Sequence, residues 1–264
     1  MRPIVLLSLL LTTPLFAHDF WIEPSTFHPA KDQVVSAALR VGQKVNGDPL
    51  PRIPNLIDRF VLLGKSGETP VIGQPGRDPA GYATISETGL SWIGYQSHPY
   101  PVTLEAKPFE DYLREEGLER IVSERAKQGR SAVAGKERFY RCAKALLDVN
   151  GPKDALEKPL GFTLELVPHK NPYALKPGAE LPLTLFFNGK PATNVLVVAM
   201  NKAEPDKAVR VRTDAKGNAK LRLGRDGFWL IKAVQMEAAP EGAGVDWESW
   251  WASITFELPS SVKQ

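Results

Sequence analysis

Hydrophobic and polar residues alternate in short runs along most of this chain, and turn residues separate the runs. The stretches 34–41, 59–63, 82–85, 89–95 and 101–105 carry the pattern of strands. Lys65-Ser66-Gly67-Glu68, Gly76-Arg77-Asp78-Pro79 and Glu87-Thr88-Gly89 punctuate them as turns. The pattern returns at 162–167, 181–187, 195–200, 208–213, 219–223, 228–234 and 251–258, with a tight-turn signal at 213–218. Short strands at this spacing predict antiparallel sandwiches, and the seven in the second half predict an immunoglobulin-like one.

Between the two blocks the period lengthens. Pro108 is placed for the first turn of a helix, and Glu110 and Asp111 follow it there, where they complement the dipole. Phe109, Tyr112, Leu113, Leu118, Ile121 and Val122 recur at roughly helical spacing until Gly129. A second helix is predicted over 137–149, with Phe139, Cys142, Ala143 and Leu146 on one face, stopped by Asn150-Gly151-Pro152. Cys142 on that face is expected to be buried and unreactive. The segment 46–54 holds Gly47, Asp48, Pro49, Pro51 and Pro54, and reads as a long ordered loop of the kind that carries function.

The N-terminus has a different character. Met1-Arg2 is followed by an apolar run at 4–11, a Thr-Thr-Pro break and Leu15-Phe16-Ala17. That order is a secretory signal peptide at 1–17, too short to span a bilayer. The predicted organisation is mainly β: two antiparallel β-sandwich (immunoglobulin-like) domains at 18–106 and 160–264, with a helical insert at 107–159. The expected location is periplasmic or otherwise extracytoplasmic.

Composition narrows the function. The net charge is +3, with basic and acidic residues interleaved, which argues against a nucleic-acid partner. One cysteine permits no internal disulfide framework. No phosphate loop, Gly-x-Ser-x-Gly elbow or His-Glu-x-x-His helix occurs, so nucleophilic catalysis has no support and the chain is not expected to be an enzyme.

Cleavage after Ala17 makes His18 the first mature residue. A terminal histidine offers an α-amine, which deprotonates far more readily than a lysine, and an imidazole; together they can chelate Ni, Co or Cu. The plain alternative is a residue that merely follows a cleavage site. Further donors are expected from His28 or His98, each placed before a proline at a bend, with His169 ranked behind them. If 19–23 is a strand, His18, Phe20 and Ile22 share one face, and Asp19, Trp21 and Glu23 the other. Asp19 then reads as a solvent-facing or turn-capping carboxylate. Asp246-Trp247-Glu248-Ser249-Trp250-Trp251 holds three of the six tryptophans. Trp247 and Trp250 are candidates for stacking on a glycan or partner, against the alternative of an edge buried by its own aromatics.

Several pieces in order carry a resemblance. They are Ala17-His18-Asp19-Phe20-Trp21-Ile22-Glu23-Pro24, Val41-Gly42-Gln43, Arg138-Phe139-Tyr140-Arg141-Cys142-Ala143-Lys144, Gly189-Lys190-Pro191, Thr213-Asp214 with Gly217, Gly227-Phe228-Trp229 and Trp247-Glu248-Ser249-Trp250-Trp251-Ala252. With these the chain resembles the exported bacterial family of domain of unknown function 4198, grouped with periplasmic components of nickel and cobalt uptake. The resemblance implies a soluble periplasmic protein that binds a transition metal ion and serves an inner-membrane transporter component. It singles out His18 and supplies no complete ligand set. An extracytoplasmic protein- or glycan-interaction module without metal is the alternative. A copper oxidase built on the terminal histidine ranks third, because it needs a second histidine at the metal and no substrate cleft is legible.

Overall fold

In the computed structural model the described residues are 18–150 and 159–260; the predicted signal peptide lies outside them. In chain order the first strands are β1 (Asp19–Pro24), β2 (Val34–Gln43), β3 (Asn46–Leu50), β4 (Ile57–Gly64), β5 (Gly67–Pro70), β6 (Gly81–Thr84), β7 (Gly89–Ser97) and β8 (Tyr100–Leu104). Helices α1 (Ala106–Glu115) and α2 (Glu119–Lys127) follow. Then come β9 (Gly135–Val149), β10 (Leu164–Pro168), β11 (Glu180–Phe187), β12 (Lys190–Pro191), β13 (Leu196–Asn201), β14 (Val209–Arg212), β15 (Asn218–Arg222), β16 (Gly227–Ala238) and β17 (Trp247–Leu258).

The mainly-β expectation holds. A nine-stranded sheet, in the order β14-β13-β16-β17-β9-β7-β4-β5 with β8 beside β9, joins strands from both halves of the chain. Two four-stranded sheets cover it. One holds β1, β2, β3 and β6, the other β10, β11, β12 and β15. Alternation along β9 and β17 shows that they lie on opposite faces. Arg141 of β9 lies over Phe20, and Thr255 of β17 donates to the carbonyl of Ile22, so the first small sheet covers that face. Lys144 reaches Glu165 of β10, and Trp250 packs on Phe187 of β11, from the other face. The two sandwiches therefore share their middle layer. Phe109, Tyr112, Leu113 and Ile121 of the helices form a second core with Val102, Phe139, Trp247 and Trp251.

Four expectations are corrected. The predicted helix over 137–149 is strand β9, paired parallel to β17 and antiparallel to β7 and β8. Its last eight residues, 142–149, are buried without alternation because both faces are covered. Phe139, Cys142, Ala143 and Leu146 imitate a helical stripe for that reason alone. The parallel β9–β17 pair also makes the large sheet mixed, where only antiparallel pairing was expected. The predicted loop at 46–54 begins as strand β3, which pairs with β2 from Leu39↔Leu50 to Gln43↔Asn46. The first predicted helix is two helices, broken at Gly117, whose φ of +69° no β-branched or bulky residue adopts readily.

Candidate functional site

His18 immediately precedes β1, which starts the first small sheet by pairing Asp19↔Gly42 and Phe20↔Val41 with β2. His18 lines a cavity of about 270 Å³ with Val41, Gly42, Gln43, Asn46, Gly47 and Asp48. The wall is the β2–β3 hairpin. Its two turn residues, Lys44 and Val45, have φ of +53° and +59°, the signature of the turn that matches strand twist. Valine is ill suited to that conformation. It is held there because its side chain is buried beside Trp21, Leu196 and Val198. Gly47 is required by close approach, since a Cβ there would overlap the Trp21 ring.

The polar character of the cavity comes from the amides of Gln43 and Asn46 and the carboxylate of Asp48, which are exposed. The Nδ1 atom of His18 is buried and has no hydrogen-bond partner among the described residues. A buried ring nitrogen without a partner is costly to leave so. Nδ1 is also the ring nitrogen that closes a six-membered chelate with the nitrogen of the same residue. These residues fit a transition ion: one imidazole nitrogen, the backbone nitrogen that cleavage after Ala17 would free, and oxygen donors on the opposite wall.

Both faces of β1 are buried, which sets the position of His18. Phe20 packs on Tyr95, ring centroids 5.1 Å apart, while Trp21 packs toward β13 and β16. Asp19 is therefore not the solvent-facing carboxylate expected of it. It is buried, and Lys232 Nζ lies 2.5 Å from it and 2.6 Å from Glu116. Burial pulls the Lys232 ammonium down. Glu116 and Asp19 raise it by more, so it stays charged. Glu23, at the far end of β1, is held by Arg40 and by Lys202.

The remaining candidates lie elsewhere, and none of the other histidines lines the His18 cavity. His98 is exposed at the end of β7, its backbone N–H donating to Leu56, on the rim of a separate apolar cavity. His28 packs edge-on against Tyr173 at 4.9 Å and lines a third cavity with Asn201, Lys202 and Phe228. The Nε2 of His169 lies 2.8 Å from Thr184 Oγ1. Among the described residues no three His, Cys, Asp or Glu side chains converge as a metal site. Trp247 is 2% exposed, in the core beneath the helices; Trp250 is 9% exposed, stacked on Tyr140 and packed on Phe187. The two tryptophans are thus core residues rather than an exposed stacking surface. Cys142 is buried as expected, although on a strand, and burial pushes its thiol up to about 12.

Sequence reasoning missed the hairpin that faces His18. Its signal was present in Gly42-Gln43-Lys44-Val45-Asn46-Gly47, but Val45 at a turn position reads as strand or loop.

A family model described as domain of unknown function (DUF4198) matches residues 15–237. No curated protein matches. Among solved structures, the D0-D1 domain of Intimin is similar at 12% identity, covering 90% of this chain and 97% of that one, with a TM-score of 0.20. So small an overlap of backbones carries no argument about function. Among the described residues no helix is long and apolar enough to cross a membrane.

Proposed function

We propose, for a chain that belongs to the DUF4198 family, that it binds a transition-metal ion through His18. The observation that supports this reading is the His18 Nδ1, buried and unpartnered in a polar cavity. In the proposal the signal segment is cut after Ala17 in an extracytoplasmic compartment. The freed amine and Nδ1 then chelate Ni, Co or Cu, and Asp48, Asn46 or Gln43 adds oxygen donors. Nitrogen with oxygen donors suits these ions better than a soft thiolate set would. The ion is cargo or a buffered reserve for an uptake system at the inner membrane. His28 and His98 are further donors only if a partner or a second copy brings them to the metal.

The test uses mature protein that begins at His18, and the same protein with its terminal amine acetylated. Titration calorimetry with Ni, Co and Cu salts is expected to show tight binding to the first and at least about tenfold weaker binding to the second, because acetylation removes the amine from the chelate. Binding should also weaken in acid, since a protonated imidazole cannot ligate. Equal affinity in the two proteins removes the terminal chelate, and with it this function.

A further inference from the structure

The apolar cavity beside His98 contains a charge that no carboxylate among the described residues neutralises. Its floor is β7, β8 and β9, where Tyr95, Tyr100, Phe139 and Arg141 project from one face of the large sheet. Its wall is the segment between β3 and β4, with Ile53 and Leu56. The volume is about 440 Å³, within the range of about 300–1,000 Å³ typical of small-ligand sites.

Arg141 is one of the lining residues. Its guanidinium lies over the rings of Phe20, at 4.5 Å, and Phe139, at 5.2 Å. Those faces attract a cation but accept none of its N–H groups. Nη1 is buried without an acceptor, and no carboxylate among the described residues pairs with Arg141. Its neighbours on the strand contrast with it, since Arg138 pairs with Glu248 and Lys144 with Glu165. Burial pulls the Arg141 guanidinium down to about 10, so it remains charged at neutral pH. Arg141 is half-buried as a residue, and a charged group with a buried N–H that lacks an acceptor is costly unless something completes it.

We infer that this cavity binds a small organic carboxylate, whose anionic end pairs with the Arg141 guanidinium and whose apolar body lies against Tyr95, Phe139 and Ile53. The planar fork of arginine matches a carboxylate with two parallel hydrogen bonds. Phosphate or sulfate would need several donors, and beside Arg141 the lining is mostly apolar: Ser97 Oγ already accepts from the Arg141 backbone N–H, His98 is exposed at the rim, and the Tyr95 hydroxyl is directed at the Leu56 carbonyl. The mouth is open to such a ligand. Ile53 is 39% and Tyr100 42% exposed at the rim, an apolar pair beside His98. The site shares no lining residue with the His18 cavity and stands without a metal there.

The test is calorimetric titration of the full mature chain with sodium octanoate, and with octan-1-ol as the neutral analogue of the same shape. Octanoate is expected to bind at least about tenfold more tightly than octanol, as a charge-assisted bidentate pair requires. Arg141→Gln is expected to reduce octanoate to the level of octanol. Ile53→Glu, at the exposed rim, adds a repelling charge without touching the core. It is expected to weaken octanoate more than octanol while leaving the melting temperature unchanged, and it decides the matter if Arg141→Gln does not fold. Equal binding of octanoate and octanol, no octanoate binding to the folded protein, or wild-type octanoate affinity in folded Arg141→Gln overturns the proposal.

Discussion

The Lys232 ammonium lies 2.5 Å from the Asp19 carboxylate, so the residue that follows His18 is anchored to a central strand of the large sheet. Glu116, at the end of α1, shares the same ammonium at 2.6 Å. The pair ties β1, the helices and β16 together where the mature chain is predicted to begin.

Removing the cation should therefore expose how much this anchor contributes. Lys232→Met leaves two buried carboxylates without a partner, and breaking a buried pair in this way costs about 3–5 kcal/mol. Urea denaturation at neutral pH is expected to show a loss of that order. A variant as stable as the parent would mean that water reaches the cluster and screens it.

Glu137 predicts a pH dependence. Its carboxyl is buried, accepts from Ser249 at 3.0 Å, and leaves Oε2 without a partner. Burial pushes it up to about 7 from 4.5, while Ser249 and Tyr112 offset part of that rise. The folded chain then holds a proton that the unfolded chain has released between these values. This contribution to stability is present below about 4.5 and is lost as pH rises through about 7. Over the whole window it amounts to about 3 kcal/mol. Glu137→Gln is expected to match the parent in acid and to exceed it at pH above about 8, as read by melts across the range. Parallel pH profiles for the two proteins would refute it.

Gly47 links the hairpin to β1. A methyl group at this position overlaps Trp21, which is itself fully buried. Gly47→Ala is expected to destabilise the fold by about 1–3 kcal/mol, the usual effect of overpacking. It should also weaken metal binding at His18, because the cavity wall moves. Unchanged stability would show that the hairpin shifts freely.

Cys142 should resist modification in the native state. Its thiol is buried, and burial pushes it up to about 12, so almost no thiolate forms near neutral pH. Labelling with an alkylating reagent is expected only at the rate of unfolding, and completely in denaturant. Rapid labelling of folded protein would show that the β9 core opens locally.

Local pattern alone determined most strands of this protein. Runs such as Val34 to Val41 and Leu181 to Phe187 are rich in β-branched and apolar residues, and they lie within β2 and β11. The burial of Cys142 was also legible from its chemistry, and the sequence singled out His18 as a candidate that the structure places in a polar cavity. Tertiary structure decided β9, because a strand covered on both faces loses its alternation and its apolar residues then fit either period. It decided the burial of Asp19 as well. The alternation of β1 is real, but the large sheet provides Lys232 on the side where solvent was expected. Trp247 and Trp250 went inward for the same reason, since each face of β17 has its own covering layer. The charge of Arg141 was plain in the sequence. That it has no carboxylate partner depends on which strands lie beside β9, and only the assembled sheet supplies that.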